Sequence, residues 1–356
     1  MTNANMKNIV AVDFDNSAIK VVVGDMIKNE ISIKKLCQTS LPENVIIDGK
    51  IMNQAIVEDS LKELLKTNAI KNGHCFATFE SSNIISREVI VPSNQNANFQ
   101  EMAKYEMAQF LPVEMSNYIV QSKKIKEVEV DQKPFIEALS TAIPKAIVDQ
   151  YFQVIQNSGL KPAVLDTYSN SIAKLFEVQG RINEETIADK VVAVVEFAYD
   201  SMLVVIFQNG QFKLSRLIVR GIKELDANIS RFMGVTIEDA SKLKMSIKNI
   251  MDYSAEKMDD EARMANVTRS TLEAWFEEIE KVFRYYASRN KGHEQIDNIF
   301  ISGSIADING ADEFIGAYFR TKAKKMESIN GILWPDKEQP KDFAEYLHAI
   351  GAMYRR

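Results

Sequence analysis

Two stretches of the chain can be laid over each other without a gap: Asn8 to Val23 (NIVAVDFDNSAIKVVV) and Val191 to Ile206 (VVAVVEFAYDSMLVVI). Asp13 falls on Glu196, Phe14 on Phe197 and Ser17 on Asp200. Each copy reads as an apolar β-run ending in an acid, a short turn of polar side chains, and a second β-run, which is the pattern of a hairpin. A hairpin used again about half a chain later, with an acid at each tip, predicts two related lobes facing a shared cleft. Both turns point into that cleft, so function is sought there.

At 356 residues the chain exceeds the size one core usually serves, which favours two or more compact units. Lys plus Arg (43) against Asp plus Glu (49) leaves a net charge of −6, so no global basic field draws the chain to nucleic acid or anionic lipid. Cys37 and Cys75 sit in separate apolar runs and read as buried thiols in a reducing cytosol. His74, His293 and His348 are scattered, and none stands at metal-ligand spacing from cysteines or carboxylates. The longest apolar run, Val191 to Phe207, is broken by Glu196 and Asp200 and is rich in β-branched residues, so it suits a hairpin rather than a membrane span. No secretory signal pattern opens the chain, and a soluble protein that meets membranes only through a partner is expected. G-x-x-x-x-G-K-[ST], H-E-x-x-H and G-x-S-x-G are all absent from the sequence, which removes the commonest hydrolytic and P-loop chemistries.

The pattern along the chain reads as α/β, with strands alternating with amphipathic helices. The first-lobe core is expected over 1–81 and 161–190, with a small α+β subdomain inserted at 82–160. Within the insertion, Ile84 to Val91 reads as a strand, Phe99 to Leu111 as a helix stopped by Pro112, and Tyr118 to Val130 and Phe135 to Ile143 as two antiparallel strands. The second-lobe core is expected over 191–222 and 271–340, with a helical subdomain at 223–270. A charged connection is expected near Glu256 to Met264, and the last long helix over Thr271 to Asn290. Phe343, Tyr346, Leu347, Ile350 and Met353 mark a closing helix, at 341–356, that returns to the first lobe.

An acid-tipped hairpin used twice, a strand running into Ser302-Gly303-Ser304, and an insertion in the first lobe together resemble the actin-like ATPase superfamily, with its ribonuclease H-like two-lobed fold. The place of the insertion is similar to the FtsA and PilM branch. SREVIVP, EMAKYEMAQFLP (Glu101 to Pro112), IPKAIVDQYFQVIQNSGLKPAVLD and FISGSIADI look like the PilM family, the cytoplasmic actin-like component of type IV pilus machines, and the match runs collinearly over essentially the whole chain.

The resemblance implies that the hairpins clamp the phosphates of ATP with Mg²⁺. Asp13, Asn16, Ser17 and Lys20 would act from the first turn, and Glu196, Asp200 and Ser201 from the second. Asp13 and Glu196 would hold the metal through water. Gly303, Ser304 and Ile305 would lie against the adenosine, and Glu238 and Lys242, in GVTIEDASKLK, would line the base and ribose pocket. Three departures weaken this: Asp15 and Ala198 stand where the family has glycine, and the adenosine turn is also poorer in glycine than the family's. Two like charges about 4 Å apart repel by roughly 4 kcal/mol at an effective dielectric near 20, so a phosphate beside Asp15 is opposed unless Asp15 turns away or Mg²⁺ intervenes.

The resemblance further implies a scaffold, leaning away from an enzyme, at the inner face of the cell membrane. It would capture the N-terminal cytoplasmic peptide of a PilN-like inner-membrane protein between the first-lobe core and the insertion. Ile85, Arg87, Tyr105 and Phe110 are the candidate groove residues, although the apolar face of Phe99 to Leu111 also reads as core packing. Other pilus assembly proteins and self-association are further partner expectations, and nucleic acid is not. An active ATPase, a small-molecule kinase and an FtsA-like division protein remain as alternatives.

Overall fold

The computed structural model describes residues 5–71, 73–93, 98–111, 114–251, 259–289, 295–335 and 337–355. Pro112, Glu256 to Met258, Asn290 and His293, which figured in the sequence expectations, lie outside them.

Two sheets repeat one plan. The first runs Lys161–Thr167, His74–Phe79, Met6–Phe14, Ala18–Ile27, Glu30–Ser40 and Ile332–Leu333 in spatial order. The second runs Gln211–Ile218, Met202–Gln208, Val191–Phe197, Asn298–Gly303 and Lys322–Lys325. In each, the hairpin is antiparallel, the next strand pairs antiparallel to its second arm, and two parallel strands extend the sheet beyond its first arm. The repeat therefore reaches past the hairpin: Asp13 lies in register opposite Thr78, and Glu196 opposite Ser302.

Strand alternation sorts the apolar residues into separate cores. Val10, Val12 and Phe14 pack with Leu61, Tyr151 and Val154 on one face of the first sheet. Val191, Ala193, Val195 and Phe197 pack with Trp275, Phe276 and Ile279 on the outer face of the second. The remaining faces meet: Ile9 and Ala11 of the first sheet join Val192, Val194 and Phe207 of the second in one cluster around two helices, Tyr168–Gln179 and Leu347–Met353. These helices cross so closely that a Cβ on Gly351 would lie 2.3 Å from the Ser171 carbonyl oxygen, which requires glycine there. Lys174, buried on the first of them, pairs with Asp166 at 2.5 Å and donates to the carbonyls of Ala352 (3.4 Å) and Tyr354 (2.9 Å) at the end of the second.

The insertion is a three-stranded antiparallel sheet, Ile85–Pro92, Lys133–Pro144 and Tyr118–Val130, with Lys133–Pro144 in the middle. One helix, Phe99–Ala108, buries Ala103 and Met107 against Val89, Val91, Ala138 and Ala142. Arg289, at the end of the long second-lobe helix Asp260–Arg289, reaches Glu88 of this sheet at 2.9 Å.

Three details differ from the sequence expectations. The helix Lys145–Asn157, expected inside the insertion, packs Ile147, Tyr151, Val154 and Ile155 into the first-lobe core instead. From Asp260 onward the charged stretch is not a connection but the first turn of the long helix, because Met264, Ala265, Thr268 and Leu272 give it a buried helical stripe. Ile332–Leu333, expected inside the second-lobe core, pairs in parallel with Ile31 and Ser32 of the first sheet. A two-residue strand carries too little periodicity to be read from sequence.

Candidate functional site

The two turns meet at the junction of the lobes, and their backbones close alike. Asp15 N–H donates to Ala18 O at 3.0 Å, and Ala198 N–H to Ser201 O at 2.9 Å. The second turn is braced from behind by the helix Ile222–Met233, whose Ile222 and Lys223 N–H groups donate to Ala198 O (3.1 Å) and Tyr199 O (2.7 Å). Gly221 is required at that join, since a Cβ there would come within 2.6 Å of both Ala198 O and Ser201 N.

In the first turn Asp15 does not face away. Its Oδ1 accepts from Ser17 N–H (3.0 Å) and Ser17 Oγ (3.1 Å), and its Oδ2 from Lys20 Nζ (3.4 Å). Burial alone would push the Asp15 carboxyl up, but the Lys20 charge and the Ser17 donors outweigh it and hold the group below the ordinary carboxylate value. Lys20 shows the reciprocal effect: desolvation is overcome by Asp15, Asp13 and Glu196, and its ammonium is held above its ordinary range. Across the cleft the Asn16 side-chain amide donates to Asp200 Oδ2, so the two turns are hydrogen-bonded directly to each other. At the rim, Tyr199 OH donates to Glu43 at 3.4 Å and Lys223 approaches the same carboxylate at 3.8 Å.

Behind the turns lies a buried polar cluster that joins the lobes. Asp13 is fully buried; Thr78 Oγ1 donates to its Oδ1 at 2.8 Å, and its Oδ2 has no hydrogen-bond partner among the described residues. Burial pushes the Asp13 carboxyl up, partly offset by His348 and Lys20. Glu196, the counterpart of Asp13, turns instead to His348 Nε2 at 2.7 Å, while Ser302, the counterpart of Thr78, keeps a buried hydroxyl with no partner among the described residues. His348 stacks on Tyr168 with ring centroids 3.8 Å apart, and Tyr168 OH donates to Phe14 O at 2.8 Å. Desolvation would lower the His348 pKa, but the facing Glu196 carboxylate raises it. The imidazole on the crossing helix thus holds the second hairpin to the first lobe.

The cavity left between the turns is about 110 Å³ and is lined in part by Asp15, Asp48, Glu80, Asp200, Ser201 and Tyr168. Ligand pockets for drug-sized molecules usually span about 300–1,000 Å³. Burial pushes Glu80 up to about 7 and also raises Asp200, to which the charge on Asp15 contributes.

The sequence expectations for the cleft divide accordingly. The structure brings Asp13, Asn16, Ser17, Lys20, Glu196, Asp200 and Ser201 to one junction, but the Asn16, Ser17 and Lys20 donors serve the protein's own carboxylates, while Ser201 lines the cavity. Gly303, Ser304 and Ile305 do not line the cavity. Gly303 takes φ +85°, with a Cβ position 2.0 Å from Phe197 O, and Ile305 is buried in the second-lobe core. Glu238 and Lys242 are exposed, pair with each other at 2.7 Å and also do not line it. Among the described residues no cluster of three or more His, Cys, Asp or Glu has metal-binding geometry. A nucleoside triphosphate with its metal does not fit this arrangement: the donors of the first turn are engaged, four carboxylates line the space, and the space is small. Sequence reasoning missed Glu80, Tyr168 and His348. For His348 there was a signal, a histidine inside a run of otherwise apolar helix.

The insertion holds the second candidate region. Arg87 lies over the Phe110 ring, its Cζ 4.1 Å from the centroid, and Phe110 and Tyr105 are 47% and 72% exposed. Ile85 pairs with Ala142, two residues before Pro144. There a groove of about 660 Å³ opens between the insertion and the first-lobe core, lined by Glu114, Asn117, Tyr118, Pro144, Lys145 and Asp149 among others.

A family model described as type IV pilus assembly protein PilM matches residues 11–355. Among solved structures, a PilM–PilN type IV pilus biogenesis complex is similar with a TM-score of 0.79 at 16% identity, covering 97% of this chain and 97% of that one. The ethanolamine utilization protein EutJ from Carboxydothermus hydrogenoformans has a TM-score of 0.56 at 11% identity, covering 97% of this chain and 88% of that one. MreB5 of Spiroplasma citri bound to AMPPNP has a TM-score of 0.53 at 11% identity, covering 97% and 94%. The duplicated sheet plan, the crossing helices and the first-lobe insertion are thus those of an actin-like fold, and the chain belongs to the PilM family of type IV pilus assembly proteins.

Proposed function

We propose that the chain is a non-enzymatic, cytoplasmic scaffold of the inner-membrane part of a type IV pilus machine, and that it holds the N-terminal cytoplasmic peptide of a PilN-like membrane protein. The observation that carries the reading is the groove of about 660 Å³ between insertion and first-lobe core; the exposed Arg87 and Phe110 stack lies on the same insertion, and neither residue lines the groove itself. An extended peptide in such a groove can combine main-chain hydrogen bonds with side-chain pockets. The helix Lys145–Asn157 opens at the groove with no side-chain cap, so its first-turn N–H groups suit peptide carbonyls. Tyr105, exposed on the insertion helix, adds a broad amphipathic face of the kind that anchors interfaces. No helix among the described residues is long and apolar enough to cross a membrane, so capture of such a peptide would supply the membrane link.

The test is calorimetric titration of the N-terminal peptide of the PilN-like protein into wild type, Arg87→Glu and Phe110→Ala, each shown folded by circular dichroism. Aromatic and arginine anchors typically carry about 2 kcal/mol or more, so each variant is expected to weaken binding roughly thirtyfold. Unchanged affinity in both folded variants sinks the proposal.

A further inference from the structure

The nucleotide that the actin-like fold implies disagrees with this chain's own cleft. We infer that the first turn carries its anion with it. The Asp15 carboxylate occupies the donors a phosphate would use, and the Asn16 to Asp200 hydrogen bond latches the turns, so the lobes are held closed by the chain's own side chains, without nucleotide.

Three independent observations meet in this inference. Ser17 N–H, Ser17 Oγ and Lys20 Nζ, a backbone donor, a hydroxyl and an ammonium on one turn, form an anion site, and all three point to Asp15. On the facing turn, Asp200 presents a carboxylate, and Asn16 supplies the donor that it needs. The backbone N–H groups of Ile222 and Lys223, at a helix start where an anion would be favoured, are spent on the carbonyls of Ala198 and Tyr199. What remains is a cavity of about 110 Å³ whose ionisable lining residues are Asp15, Asp48, Glu80, Tyr168 and Asp200, with no lysine or arginine among the lining residues. An incoming polyphosphate would have to displace Asp15 and then lie beside it and Asp200. Glu196 to His348 at 2.7 Å and Glu43 to Tyr199 at 3.4 Å bridge the same two lobes in addition to the latch.

The inference is independent of the peptide reading and is tested without it. The full chain is titrated calorimetrically with Mg-ATP and, separately, with tripolyphosphate, beside Asp15→Ala and Asp15→Asn, with folding followed by circular dichroism. Asp15 has an ordinary backbone conformation, outside the positive-φ set, so alanine is tolerated there. Wild type is expected to give no saturable heat, and Asp15→Ala to bind tripolyphosphate roughly a thousandfold more tightly, as expected for removing one like charge about 4 Å away. Micromolar binding of Mg-ATP by wild type overturns the inference, and so does silence of both folded variants. Asn16→Asp tests the latch without any ligand. It sets two carboxylates face to face, and faster amide exchange over 198–203 is expected; unchanged exchange there overturns the latch.

Discussion

Glu80→Gln should make the stability of the protein less sensitive to pH by a calculable amount. Glu80 stands at the end of the strand His74–Phe79 and lines the interlobe cavity. Its carboxylate is poorly compensated: Oε2 accepts from Ser169 N–H at 3.2 Å and Ser169 Oγ at 3.4 Å, and Oε1 from Ser81 N–H at 3.3 Å. Burial therefore wins over these donors and carries the group from its ordinary 4.5 to about 7. The native state holds this proton more tightly than the unfolded chain. The contribution to stability is accordingly complete below about pH 4.5 and is lost as the pH rises through about 7. At about 1.4 kcal/mol per pH unit, the loss across that window is about 3 kcal/mol. Glutamine cannot ionise and escapes it. In urea titrations the variant and wild type should nearly coincide at about pH 4.5 and diverge until the variant is more stable by about 3 kcal/mol at about pH 8. Stability curves that stay parallel over the whole range would refute the reasoning, because Glu80 would then ionise as freely in the fold as in water.

Lys174→Ala leaves the Asp166 carboxylate buried without its ammonium and strips the donor from the last helix's carbonyls, so a loss of about 3–5 kcal/mol is expected by urea titration, and a loss under about 1 kcal/mol contradicts the pairing. Gly351→Ala forces a Cβ to 2.3 Å from Ser171 O at the helix crossing and should cost about 1–3 kcal/mol or more, read as a lowered Tm; an unchanged Tm refutes the close approach.

The repeated hairpin was legible because two β-branched runs with an acid at the same place are a local pattern, and the parallel strands and insertion followed from similar local runs. The interlobe cluster was not legible. His348, Tyr168 and Glu80 lie far apart in the chain, and each alone reads as an ordinary residue at the end or inside of an element. Asp15 shows the boundary most plainly. Its charge and its misfit with a glycine position are written in the sequence, yet whether it turns away from the clamp or into it depends on Ser17 N–H, Ser17 Oγ and Lys20 converging on one point. Glu238 and Lys242 show the converse, since a segment that resembles the family's pocket wall here carries a solvent-exposed i,i+4 ion pair.

The parallel pairing of Ile31 and Ser32 with Ile332 and Leu333, and the packing of Ile9 and Ala11 with residues of the helix Leu347–Met353, bear on how the protein is made. On the ribosome, at about 5–20 residues per second, the strand Glu30–Ser40 emerges roughly 15 to 60 s before the partner that covers its edge. For that interval an unpaired strand edge and an uncovered apolar sheet face wait in the cell, the two features that invite misassembly between nascent chains. The first lobe to begin synthesis is therefore the last to be completed, its sheet covered only when the closing helix arrives.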